Sequence, residues 1–331
     1  MNFPVAVGEK YALIALNAAT DVESLVDLGS GISALPEGSL ELPEHWKEWL
    51  GSMRAKSIER SDLFLIVKAK SERPEVLDGE NLELMRRAAN LYWGLLASGR
   101  VALEGAGTKL TGANRGDGPD IRQIAELHHY VRVAGMLPKA VTETHLRQAT
   151  ALAFNLQELL ALPGMLRMKL AIRTFLMAFA ESDLGERIHQ FVRSLDGLTR
   201  VWNGKEFKEK SALLAGSTHQ DLCGQLYAIR SGVEHFHHPD SRLDAVSPRE
   251  SQFRACRYAL AAEALARHCL SHLVENKHLW PHFTDDQVDS FWARPMDEKR
   301  QIWGPAFDIT SALTEFRPQW VPRPSDVTDG D

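Results

Sequence analysis

"QDLCGQLYAIRSGVEH", residues 220–235, places Leu222, Leu226, Ile229 and Val233 at steps of four, three and four residues. Those steps return to one side of a 3.6-residue helix, so the spacing predicts an amphipathic helix with this stripe buried. Tyr227, Arg230, Ser231 and Glu234 then lie on other faces, nearer to solvent or to a partner subunit. Beyond His235 the chain reaches Pro239, which cannot continue a helix.

The same period governs the flanking segments. "LGERIHQFVRSLDGLTR" (184–200) aligns Ile188, Phe191, Val192, Leu195 and Leu198. "FRACRYALAAEALARHCLSHLVEN" (253–276) aligns Ala262, Leu265, Cys269 and Leu273 in a long alanine-rich run. Helices with one apolar stripe pack as bundles, so the second half is expected to be all-α from about residue 120 onward, with His128 and His129 on a helix surface.

Upstream the periods mix. "KYALIALN" (10–17), "DLFLIVKA" (62–69) and "RVALEG" (100–105) are strand-length apolar runs, whereas "ENLELMRRAANLYWGLLAS" (80–98) is helical, with Leu82, Met85, Ala89, Tyr92 and Leu96 on one face. The fold class expected is therefore α+β overall and mainly α: a mixed α/β domain over 1–150, an all-α bundle over 151–315, and a flexible tail over 316–331, where "RPQWVPRPSDVTDGD" carries three prolines and acidic residues. The glycine-rich "GAGTKLTGANRGDGPD" (105–120) fails as a phosphate cradle, because Lys109 follows Thr108 and precedes Leu110. A surface loop is expected there.

With 331 residues, 44% hydrophobic and 25% charged, the chain is long enough for two globular cores and too apolar to be mainly disordered. A net charge of −6 gives no overall attraction to nucleic acid, so any RNA contact has to come from a local patch. Cys223, Cys256 and Cys269 have no paired spacing, which excludes a zinc ribbon and suits a reducing compartment. No signal-peptide pattern opens the chain, and the apolar stretch 165–180 carries Arg167, Lys169 and Arg173. A cytoplasmic protein with no membrane association is expected.

The motif "LYAIRSGVEH" (226–235) resembles the signature of the HEPN superfamily, in which an arginine and a small polar residue are followed on the same helix by a histidine. The order "RIHQFVRSLDGLTR", "FKEKSALLAG", the motif helix, "YALAAEALARHCLSHLVEN" and "FTDDQVDSFW" is similar to the Apea-like HEPN branch over roughly residues 180–305. The resemblance implies an all-α bundle, a site shared by two copies of the chain, and metal-independent cleavage of RNA in a defence, antiviral or toxin role. It implies no cofactor. The pair carried over is Arg230 and His235, with Ser231 beside the arginine. Asp196 matches the place where relatives carry a glutamate on an earlier helix. Tyr227 and Glu234 join them as substrate-binding or supporting residues. A regulatory partner is expected at the N-terminal domain.

The residue types suit that chemistry. An imidazole can accept the proton of a ribose 2′-hydroxyl, and a fixed guanidinium can stabilise charge on the phosphoryl oxygens. Three alternatives stand beside it. Arg230 and Glu234 are also an i,i+4 pair, and such a surface ion pair needs no function. His235, His237, His238 and Asp240 are a possible metal-ligand cluster, though no HExxH or paired-cysteine motif completes it. A helical RNA-binding or dimerising scaffold without activity would share the same bundle.

Overall fold

The computed structural model describes residues 4–42, 44–235 and 247–322. It is mixed α+β and divides into two compact units, one formed by 1–130 with 138–157 and the other by 131–137 with 158–331.

In the first unit, β1 (Glu9–Ala18), β2 (Val26–Gly29), β3 (Ile32–Pro36), β4 (Leu63–Lys70), β5 (Leu103–Ala113) and β6 (Gln123–Glu126) form an antiparallel sheet of order β2-β3-β4-β1-β5-β6. β1 is covered on both faces, which explains why it reads as a continuous apolar run rather than an alternation. Tyr11, Leu13 and Ala15 join a core with residues of α1 (Glu44–Leu50) and α2 (Ser52–Glu59), among them Ala55 and Ile58. The sheet also packs against α3 (Gly79–Ser98), whose first turn is capped by Asp78 accepting from the Glu80 N–H. Lys10, fully buried in β1, ties strand to helix through Asp78 at 2.8 Å and Glu80 at 2.9 Å.

Several expectations change here. α3 presents Asn81, Leu84, Met85, Ala88, Leu91 and Tyr92 inward, leaving Leu82 exposed, because the helix is rotated to set Asn81 against Thr111 and the Gly112 carbonyl on β5. The glycine-rich stretch is no loop over 105–113, since it forms most of β5. Its glycines answer steric needs that a sequence cannot display: a Cβ on Gly112 would overlap the Asp120 carbonyl, and one on Gly107 would crowd Leu16 and the Ala15 carbonyl. The Asp120 carbonyl also accepts from the Tyr11 hydroxyl at 2.8 Å, which pins that crossing strand in place. Gly112→Ala is accordingly expected to destabilise the fold by about 1–3 kcal/mol in a denaturant titration; an unchanged midpoint would show that the backbone at Asp120 yields. β6 is a further strand beyond residue 120, and His128 and His129 follow it in irregular chain rather than on a helix.

The second unit is helical. α4 (Glu143–Ala161) contributes its last turn, followed by α5 (Leu166–Ala178), α6 (Leu184–Thr199), α7 (Gly204–Ala215), α8 (Gln220–Glu234), α9 (Pro248–Glu275), α10 (Val288–Trp292), α11 (Met296–Trp303) and α12 (Ile309–Ala312). Local signals set the helix starts: Asp183, Asn203 and Ser247 are side-chain N-caps, and Pro248 opens α9. The anticipated stripes of α6 and α9 are buried. At the centre Phe175, Phe179 and Phe191 meet edge to face, and the wholly buried Arg187 lies beside two of these rings. All three cysteines are buried and unpaired by disulfide.

The chain expected to be flexible from 316 is anchored as far as 322. Phe316 packs over Gly135, the Arg317 N–H donates to the Gly135 carbonyl at 2.7 Å, Val321 is buried, and Arg249 donates to the carbonyls of Val321 and Pro322. Proline content signals extended chain, and extended chain can still be packed when its carbonyls find a partner. Among the described residues no helix is long and apolar enough to cross a membrane.

Candidate functional site

Two helix faces assemble the site. On α6, His189, Arg193 and Asp196 recur at i, i+4 and i+7; on α8, Tyr227, Arg230 and Glu234 recur at i, i+3 and i+7. Gly197 permits the close packing behind them, because a Cβ there would overlap Ala171 of α5. Arg167 of α5 reinforces the same turn by donating to the carbonyls of Asp196, at 3.3 Å, and Gly197, at 2.5 Å.

Arg230 is the hub. Its Nη2 donates to Asp196 Oδ2 at 3.0 Å across the helix pair, its Nη1 lies 3.2 Å from Glu234 Oε2, and its guanidinium sits 4.9 Å from the Tyr227 ring centroid. The side chain is only 12% exposed, unlike the ordinary surface i,i+4 pair. Tyr227 is buried, against the expectation that it lies nearer solvent, because α8 is rotated so that Cys223, Leu226, Tyr227 and Ile229 face inward while Leu222 and Val233 are half-buried. It packs on Phe207 with ring centroids 5.2 Å apart, so its ring supports Arg230 and is not open to a base.

His235 is exposed and stands at the end of α8, where its backbone N–H donates to the Ser231 carbonyl at 3.1 Å. Ser231 is half-buried beside Arg230. Asp196, Glu234, Tyr227 and Arg230 are thus brought together, and His235 stands at the end of their helix. Of the cluster His235, His237, His238 and Asp240, the last three lie outside the described residues. No group of three or more potential metal ligands occurs among the described residues.

Asp196 Oδ1, Arg230 Nε and both ring nitrogens of His189 are buried without a hydrogen-bond partner among the described residues. Burial dominates the Asp196 carboxyl and pushes its pKa up to about 6, although Arg230 acts in the opposite direction. Burial also lowers the His189 pKa; nearby Glu234 opposes that shift, and Arg230 and Arg193 add to it. Burial thus favours the neutral form of the His189 imidazole. Such unpartnered atoms also occur elsewhere among the described residues, at Asn81, Arg122, Arg167 and Arg187.

Sequence reasoning reached Asp196 and missed His189 and Arg193. Their spacing with Asp196 was visible in "HQFVRSLD", but a polar stripe opposite an apolar one reads as a solvated face; in the fold His189 is buried and Arg193 stays exposed. Comparison with known protein families, curated proteins and solved structures finds no match to this chain.

Proposed function

We propose that the helical unit is a HEPN-like module and that the protein is a metal-independent endoribonuclease whose site is completed by a second copy of the chain. The observation that carries this reading is the placement of Arg230: a guanidinium held across two helices by Asp196 and backed by a tyrosine ring, five residues before an exposed His235 that ends the same helix. In the proposed reaction His235 takes the proton of a ribose 2′-hydroxyl, the 2′ oxygen attacks the adjacent phosphorus, and the P–O5′ bond breaks. The 5′ oxygen takes up a proton from water, leaving a 2′,3′-cyclic phosphate and a 5′-hydroxyl. Arg230 faces the phosphoryl oxygens, with Ser231 beside it. Defence against foreign nucleic acid is the role we assign to such an activity.

A second reading is a non-catalytic RNA-binding or dimerising scaffold. It is favoured by the carboxylates at both ends of the Arg230 fork, which neutralise it as a structural ion pair would.

The two separate in one assay. Wild type and His235→Ala are incubated with a mixed RNA substrate in EDTA, and the new ends are analysed. The nuclease reading expects cyclic phosphate ends from wild type alone. Cleavage that stops in EDTA, or that His235→Ala retains, overturns it, and RNA binding without cleavage by either protein selects the scaffold.

A further inference from the structure

The turn that joins α6 to α7 carries Trp202, the most exposed tryptophan among the described residues, with 82% of its surface open to solvent. Both ends of this turn rest on the groups that hold Arg230. It leaves α6 at Asp196, whose carbonyl accepts from the Arg200 N–H at 3.0 Å while Arg200 takes a left-handed backbone with φ 45°. It returns at Gly204, where a Cβ would stand 3.0 Å from the Tyr227 ring that backs Arg230. Between those ends the chain is tied down. Glu206 Oε2 accepts from the Trp202 N–H at 3.0 Å, and the Asn203 side chain accepts from the Glu206 N–H at 3.0 Å. Lys210 donates to the carbonyls of Thr199 at 2.8 Å and Arg200 at 3.2 Å, and to Glu206 Oε1 at 2.6 Å.

We propose that Trp202 is the stacking platform for an unpaired base of the RNA whose phosphate meets Arg230, a proposal that rests on the RNA reading of that site. A tryptophan ordinarily buries most of its large ring surface, and this one is held in water on a turn fixed by its own backbone bonds. A platform ordered beforehand loses little entropy when a base lies on it. Two residues of chain span at most about 7 Å, so the Trp202 backbone stands within that distance of Gly204, which touches the Tyr227 ring. A nucleotide flanking the bound phosphate is therefore in reach of the indole. Tyr227 itself is buried against Phe207 and closed to a base. Single-stranded RNA is recognised by splaying its bases onto aromatic faces, and every base offers such a face, so the platform tolerates any sequence.

The test is fluorescence anisotropy of the full chain with a labelled, single-stranded 2′-O-methyl RNA of about 12 nucleotides, which has no 2′-hydroxyl to attack and stays intact. Trp202→Ala is expected to weaken binding at least about tenfold and Trp202→Phe to stay within about threefold of wild type. The salt dependence should keep its slope in Trp202→Ala, because no phosphate contact is lost. A fully abasic strand should bind wild type and Trp202→Ala equally. Equal affinity of wild type and Trp202→Ala for the base-bearing strand overturns the proposal, as does an equal loss on the abasic strand. So does a loss that accompanies dissociation of a dimer in sedimentation velocity, which would make Trp202 a contact between copies. Absence of binding by wild type up to about 100 μM overturns it as well. The cyclic phosphate assay reports on the chemistry separately. Cleavage by wild type with unaltered affinity in Trp202→Ala removes the platform and keeps the nuclease, whereas Trp202-dependent binding without cleavage keeps the platform and removes the nuclease.

Discussion

Arg187→Ala is expected to lower stability by ~3–5 kcal/mol, the largest effect of any single substitution considered for this fold. Arg187 is fully buried and its Nη1 donates to the carbonyls of Val131 at 2.7 Å, Glu181 at 3.3 Å and Phe179 at 3.4 Å. Its Nη2 reaches Glu263 Oε2 at 3.5 Å, and Arg267 holds the other oxygen of that carboxylate at 2.7 Å. Removing the guanidinium takes one cation from a buried carboxylate and strips several carbonyls of a donor, while the truncation opens a cavity beside the phenylalanine cluster. Urea denaturation should show a lower midpoint with the same slope. A loss below about 1 kcal/mol would mean that water or Arg267 replaces the lost bonds.

Arg230→Lys is expected to reduce RNA cleavage by ~10²–10³-fold while the helical unit stays folded, since an ammonium cannot span Asp196, Glu234 and a phosphate as a planar fork does. Cleavage within about threefold of wild type would reduce Arg230 to a point charge and remove the reason for its two-helix clamp. The paired carboxylate has a signature of its own. Folding raises the Asp196 pKa from 3.8 to about 6, so the folded state prefers the protonated form. Its contribution to stability is therefore complete below about pH 4 and lost as the pH rises through about 6. Asp196→Asn cannot titrate, and should lose less stability than wild type between pH 4 and 7 in paired thermal melts. Equal losses in the two proteins would show that Arg230 dominates over burial.

Much of the helical unit was legible in advance because its helices are long, capped and strictly periodic. α6 and α9 bury the residues their spacing selects, and Ser247 caps α9 by accepting from the Glu250 N–H. β1 and β4 were legible as apolar runs. β2 and β3 were not, being four and five residues long, and of β5 only the start, within "RVALEG", was legible, the rest being hidden by glycines that normally mark loops. In α8 the motif residues were in view, but the rotation that buries Tyr227 comes from Phe207 on α7.

By itself the sequence determined that apolar strand-length runs come first and periodic helices follow, and that Arg230, Ser231 and His235 stand at one helix end, because period and proline placement act over a few neighbouring residues. Only the tertiary structure decided that α6 meets α8 through Asp196 and Arg230, that Tyr227 backs Arg230, and that the chain through 322 is anchored. Those facts depend on groups tens of residues apart approaching within hydrogen-bond distance, as Asp196 and Arg230 do at 3.0 Å. Local spacing carries no information about which polar stripe is covered, and burial by a distant helix is what turns a solvated face into a site with shifted pKa values.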